Sequence, residues 1–358
     1  MEKKLSLQLA DTIMRRFPHP DNYPFNSWTY SQGFMLLGFI HLYESTGESK
    51  YRDYVLKYAD FHVSPDGELY RFTGGSMDDM LPGAVIVWAY NQTGEERYKK
   101  ASYSILCKFA DYPRIANGGF MHARGLVGQM WVDGVFMGGM FLNYYEKMIG
   151  CNGVCYEELE KQLEAIFGCC HKKGGLLYHG YSESEDTPWA NRLTGKSTDV
   201  WSEGLGWYAL ILAETARMMP ETYPYRKTVC ERLEMLLNTL SELADKQSGL
   251  FYQVVDKGEN PDNWTDTSGS AMFLYAFAAA VKLGIGDAAK YQQVIDKCYH
   301  GVLSKCIVNA DGLVDVYDAC DGLGVQNNYD AYITFPKTVN AKEAVAAVLW
   351  VSEVIEYR

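Results

Sequence analysis

With 358 residues, 47% of them hydrophobic and 14% aromatic, the chain can bury a sizeable core, as one large domain or two ordinary ones. Its 33 basic and 45 acidic side chains leave a formal charge of −12, which argues against nucleic acid or an anionic membrane surface as the main partner. The opening stretch MEKKLSLQLADTIMRRF has a basic pair with no long apolar run behind it, and polar residues break every later apolar run, so neither a signal peptide nor a membrane span is expected. The nine cysteines fit no zinc framework; Cys151 and Cys155 have ligand-like spacing but no second pair nearby. Free thiols in a reducing cytoplasm, with no metal and no cofactor, are the expectation.

Taken in order, helical periodicity covers roughly 3–16, 29–45, 49–62, 79–92, 96–110, 130–148, 156–171, 199–218, 225–245, 269–283, 287–304 and 340–356. That is twelve helices in six pairs, with no linker or low-complexity run between them, so residues 1–358 are expected to form a single domain. Two weak signals repeat along the chain. One is a glycine turn followed by a tyrosine that opens a helix, as in TGESKY ending at Tyr51 and TGEERY ending at Tyr98, with looser copies ending at Tyr156, Tyr225 and Tyr291. The other is a glycine before a short apolar or aromatic stretch, at Gly67, Gly119, Gly175, Gly249 and Gly312.

The second helix of several pairs is apolar nearly all round, as in GLGWYALILAETA (204–216) and AMFLYAFAAAVKL (271–283), which is the pattern of a helix enclosed by others. The first helices mix charged and apolar positions. An inner ring of apolar helices inside an outer ring of amphipathic ones is an all-α, (α/α)6 barrel; the alternative is an open helical solenoid. Closure is preferred because six pairs close a toroid and neither terminus reads as a polar capping repeat.

The repeat also directs attention to a site. Tyr70, His122, Tyr178, His179, Tyr252, Gln253 and Asp315 follow the second-signal glycines, and Asp78, Asp79, Asp133, Trp201, Glu203 and Asp266 stand near the starts of inner helices. Equivalent stations point to one rim, so these groups converge on the barrel mouth. Asp133 sits at helical spacing from Gln129, Met130, Phe136, Met137 and Met140. A lone acid on such a face is either satisfied by backbone donors or holds a raised pKa for chemistry. His122 and His179 read equally as turn histidines, and Asp78 as a helix cap. Trp189, Trp201 and Trp207 suit a core or a wall that stacks on sugar rings. There is no nucleophile elbow, phosphate-binding loop, dinucleotide fingerprint or HExxH helix, so acid–base chemistry on a carbohydrate is favoured.

At these residues the sequence resembles glycoside hydrolase family 105, the unsaturated rhamnogalacturonyl hydrolases. The resemblance runs over nearly the whole chain. It rests on WTYSQG (28–33), MDDMLPG (77–83), GGFMH (118–122), QMWVDGVFMGG (129–139), LLYHGY with PWAN (176–191), WSEGLGWY (201–208), GLFYQVVDKG with DNW (249–264) and SGSAMFLYA (268–276). It implies an (α/α)6 barrel that removes a 4,5-unsaturated uronic acid from the non-reducing end of oligosaccharides made by polysaccharide lyases. It further implies that Asp133 is the general acid/base, that Asp78 assists it or binds ring hydroxyls, and that Tyr30, His122, His179, Trp201 and Trp207 line the sugar subsite. Many relatives place an arginine two residues after the first tryptophan of W-x-R-G-x-G-W, facing the uronate carboxylate; here that position is Glu203. Either another group holds the carboxylate, with Arg124, Lys337 and the histidines as candidates, or the substrate differs. Three other readings stand beside this one. They are an inverting glycosidase using Asp78 and Asp133, a sugar epimerase using His122 and His179, and a non-catalytic sugar-binding protein. Oligomeric state is not legible in the sequence.

Overall fold

The repeated glycine–tyrosine signal has a local cause. In the computed structural model, which describes residues 4–357, α1 spans Leu5–Arg16, α2 Tyr30–Thr46, α3 Ser49–His62, α4 Leu81–Thr93 and α5 Glu96–Lys108. Gly47 and Gly94 end α2 and α4 in the left-handed region, at φ 70° and 71°, a conformation that glycine adopts without strain. Their amides donate at 2.8 Å to the carbonyls of Tyr43 and Tyr90. The chain then reverses, and Tyr51 and Tyr98 anchor the next helix as buried side chains.

The hairpins continue with α6 (Val132–Met148), α7 (Val154–Cys170), α8 (Ser202–Met218), α9 (Arg226–Leu243), α10 (Thr267–Leu283), α11 (Ala288–Ser304), the short α12 (Tyr329–Ile333) and α13 (Lys342–Glu356). Helix α2 packs on α4, α4 on α6, α6 on α8, α8 on α10, α10 on α13, and α13 returns to α2. This closes a ring of six, which excludes the open solenoid. The amphipathic helices cover it from outside: α3 on α2, α5 on α4, α7 on α6, α9 on α8, α11 on α10, and α1 on α13. The twelve expected helices are all present with ends displaced by a few residues. Helix α6 starts at Val132 rather than 130 because Gln129–Trp131 pairs as a strand, β1, with β2 (Gly180–Ser182). Helix α12 was not expected. It is five residues long, capped by Asn328, whose side chain accepts from the amide of Ala331 at 3.0 Å.

The axis of the barrel is filled by aromatic rings. Phe34 lies 5.8 Å from Phe136, 4.7 Å from Trp207 and 5.0 Å from Trp350, centroid to centroid. Neighbouring staves approach closely at small residues; a Cβ on Gly269 of α10 would stand 2.8 Å from the backbone carbonyl carbon of Ser202 on α8. Two further strand pairs, β3 (Phe251–Tyr252) with β4 (Thr265–Asp266) and β5 (Cys306–Val308) with β6 (Val314–Val316), edge the barrel. All nine cysteines are free. Among the described residues no helix is long and apolar enough to cross a membrane.

The end of the barrel where the inner helices finish holds a buried ionic cluster. Glu214 on α8 accepts from Arg217 at 2.6 and 3.0 Å and from the Tyr275 hydroxyl, with His41 Nε2 at 3.7 Å. Burial pushes the Glu214 carboxyl up, but Arg217 and then His41 outweigh it and bring it from an ordinary 4.5 to about 2. A folded value below the unfolded one means that this stability is present above about pH 4.5 and drains away as pH falls toward 2. Urea unfolding at pH 6, 4.5 and 3 is expected to show that decline, with a shallower slope in Glu214→Gln.

Candidate active site

The inner helices all begin at one end of the barrel, and their first turns surround a single cavity of about 250 Å³. Its wall is built from Tyr30 at the start of α2, Asp78 in the turn before α4, Asp133 in the first turn of α6, Glu203 in that of α8 and Glu343 in that of α13. Helix N-termini carry unpaired amides and partial positive charge, so carboxylates are favoured in these positions. Trp131, Trp201, Trp207, Met137 and His122 complete the sides, and Gly322–Leu323–Gly324 lies across them. The volume is below the roughly 300 Å³ at which pockets for drug-sized ligands begin, a size for one ring rather than for a chain of rings.

Asp133 is 8% exposed. Behind it stands His179, whose Nε2 lies 3.2 Å from Asp133 Oδ2 and whose Nδ1 lies 2.8 Å from the Tyr332 hydroxyl. The Tyr332 oxygen already accepts from the amide of Gln326 at 3.2 Å. One tautomer satisfies the whole line: Tyr332 donates to Nδ1, and Nε2–H donates to Asp133. The sequence reading placed His179 on the sugar subsite. The structure instead buries it, 1% exposed, between Asp133 and Tyr332, with Trp201 packed against its ring at 4.5 Å. Its ring is not among the groups that border the cavity and stands behind Asp133. The cause is the β1–β2 pairing, which seats His179 directly under the start of α6: its carbonyl accepts from the amide of Val132 at 3.0 Å.

His122 stacks on Trp131, with centroids 4.3 Å apart, and its Nε2 is 3.8 Å from Asp78 Oδ2. Burial raises the Asp78 carboxyl above its ordinary range; His122 opposes the shift and the charge of Asp133 adds to it. Trp207 forms the floor beside Tyr30, Phe34 and Phe136. The Tyr30 hydroxyl donates to Glu343 Oε1. Burial, followed by the charge of Glu343, pushes that hydroxyl well above the usual phenol range, so it keeps its proton.

Glu343, Trp131, Met137, Tyr332 and the 322–324 loop escaped the sequence reading. Glu343 had a signal, since it occupies in α13 the same early station as Asp133 in α6 and Glu203 in α8. The loop and Tyr332 had none. Of the cations considered for a carboxylate ligand, Arg124 reaches out to the carbonyl of Gly74 (3.0 Å) and to Asp111 (3.4 Å), and Lys337 lies over the Trp264 ring at 5.2 Å. Neither borders the cavity.

Residues 5–357 match the family model of Glycosyl Hydrolase Family 88. The chain is similar in structure to a family 105 glycoside hydrolase from C. acetobutylicum ATCC 824, with 28% identity, 99% of each chain covered and a TM-score of 0.92. It shares the fold of an unsaturated glucuronyl hydrolase from Bacillus sp. GL1 at 13% identity, with 96% of this chain and 95% of that one covered and a TM-score of 0.66. Over 136 residues it is 35% identical to Protein Atu3128 of Agrobacterium fabrum, a match that takes in 37% of this chain and 58% of that relative's length. A closed (α/α)6 barrel with an acid-lined cavity, matched over almost its full length, places the chain in Glycosyl Hydrolase Family 88 as a glycoside hydrolase, similar in structure to a family 105 enzyme.

Proposed function

We propose that the protein removes a 4,5-unsaturated uronic acid from the non-reducing end of lyase-generated oligosaccharides by hydrating its C4=C5 bond. The observation that carries this reading is Asp133, a cavity carboxyl held from behind by the His179–Tyr332 line. In the reaction Asp133 gives its proton to C4, which leaves positive charge shared between C5 and the ring oxygen. Water adds at C5, and the Asp133 carboxylate takes the proton that the water loses. The C5 hemiketal then opens, C5 becomes a ketone, and the C1 hemiacetal expels the next sugar. One carboxyl serves both proton transfers, because protonation and deprotonation follow each other on the same ring.

Displacement at the anomeric carbon asks for two carboxyls on opposite faces of the bond, roughly 6.5–9.5 Å apart for inversion. Asp78, in the turn before α4, and Asp133, in the first turn of α6, line the same cavity, with His122 Nε2 3.8 Å from Asp78 Oδ2. Asp78 is suited to ring hydroxyls, and Trp131, Trp201 and Trp207 to the apolar faces of the ring. The likeness to a family 105 hydrolase supports the reaction class. The test is incubation with lyase digests of several polysaccharides: the ultraviolet band of the conjugated enol ether is expected to disappear, with a free 4-deoxy keto-uronic acid as product. Cleavage of saturated oligosaccharides, with that band untouched, would sink the proposal.

A further inference from the structure

Four carboxyls border the cavity (Asp78, Asp133, Glu203 and Glu343), and among the described residues no lysine or arginine does. A uronate adds a fifth acid. It needs a donor: His122, which lines the cavity but faces Asp78 at 3.8 Å, or one of the four as a neutral acid. Glu203 has the geometry for that. It is 0% exposed yet forms part of the cavity wall, and neither of its carboxyl oxygens meets a donor in good hydrogen-bond geometry, the Ser268 hydroxyl being only close by. The neighbouring Ser268 hydroxyl donates to Asp266 instead, at 2.7 and 2.9 Å. A buried carboxyl left unpaired on both oxygens is costly unless a ligand completes it. Glu343, by contrast, is already engaged on Oε1 by the Tyr30 hydroxyl and by the Lys342 ammonium at 3.0 Å. Lys342 is also held by Asp321 at 3.1 Å.

We propose that Glu203 binds the uronate as a carboxylic acid, donating an O–H···O hydrogen bond to the substrate carboxylate where a cation is absent. The proposal rests on the hydration reading above for the identity of the ligand. Two buried carboxyls side by side do not both ionise, and the proton belongs to the member with fewer donors around it. Burial, then Glu343, then Asp266 push Glu203 well above the ordinary carboxylate range, with Ser268 and Lys342 pulling the other way. The groups facing it are Glu343 and Lys342 on α13, Tyr30 on α2, Asp266 at the head of α10, Cys320 in the adjoining loop, and Asp78, His122 and Asp133 around the cavity. An acid–carboxylate hydrogen bond is short and strong, and it carries geometric specificity without a fixed positive charge. Because only the protonated form donates, affinity for the uronate falls about tenfold per pH unit once pH exceeds the Glu203 value.

The experiment is calorimetric titration of the full-length Asp133→Asn protein with an unsaturated uronyl disaccharide and with its methyl ester, from pH 5.5 to 9.5. Turnover by the unaltered enzyme is followed in parallel. The expected result is a dissociation constant that climbs with pH for the acid, at least tenfold weaker binding of the ester at pH 6, and a nearly flat profile when Glu203→Gln is added. Glutamine keeps a donor there and cannot titrate. Glu203→Leu is expected to weaken the acid at least tenfold at every pH. Circular dichroism and melting of each variant separate lost binding from lost fold. A flat profile in the Glu203 protein, or equal affinity for acid and ester, overturns the role of Glu203 and leaves the hydration reaction standing when turnover is seen. No turnover of any lyase product overturns the hydration reading, and the role of Glu203 with it.

Discussion

Asp133→Asn is expected to lower kcat by about a thousandfold while leaving KM and the fold nearly unchanged. Asparagine has the shape of aspartate, and its carbonyl oxygen still accepts from His179 Nε2–H, the contact now 3.2 Å long. What it lacks is a proton acidic enough to reach carbon. In the proposed hydration, protonating C4 is the step that creates charge on the ring, so the loss falls on the transition state rather than on ground-state binding. The two side chains are nearly isosteric, so the substitution opens no cavity in the first turn of α6 and the barrel keeps its fold. Decay of the enol-ether absorbance gives the rate, and far-ultraviolet circular dichroism checks the fold. Activity within tenfold of the unaltered enzyme would move the proton donor elsewhere, with Asp78 next in line.

The second large effect is on stability. Trp350→Ala is expected to cost about 3–5 kcal/mol. Trp350 is fully buried, and its ring meets Phe34 at 5.0 Å, His41 at 4.5 Å and Tyr275 at 5.2 Å. Its Nε1–H donates at 2.9 Å to the carbonyl of Phe34 on α2. Gly38 makes the fit possible, since a Cβ there would stand 2.8 Å from the Trp350 ring. A cavity on the axis has staves on every side and collapses poorly, which places the loss toward the upper end of the range. The urea midpoint measures it. Trp207 and Phe136 rest on the same aromatic layer, so a rise in KM alongside the lost stability is expected from a loosened cavity floor.

How far the sequence was legible follows from which forces set each part. The inner helices were readable because enclosure demands apolar residues on all sides, as in α8 and α10, and no other element in the chain has that pattern. The count of six then implied closure. Asp133 and Glu203 are legible because each is the second residue of an inner helix, where the repeat points inward, and Glu343, the second residue of α13, obeys the same rule. Tyr332 and Gly322–Gly324 arrive through the long connection between α11 and α13. Beyond the Gly312 signal that segment has neither a period nor a repeat, and it is placed by tertiary contacts such as the 3.0 Å bond from Trp264 Nε1 to the carbonyl of Ile333. The displacement of His179 from wall to support depends on the register of β1 against β2, three residues long, which no local pattern encodes.

The return of α13 to α2 has a bearing on how the protein comes into being. Phe34 meets Trp350 across 316 positions of chain, and Glu356 accepts from the amide of Leu5 at 2.9 Å across 351. Five inner staves can stand in order on a ribosome without enclosing anything, because the sixth carries both the closing face and Glu343. Contacts so distant in sequence form late and slowly. The cavity therefore assembles in a single final event, and a chain halted before α13 emerges has an unfinished wall in place of a weakened enzyme.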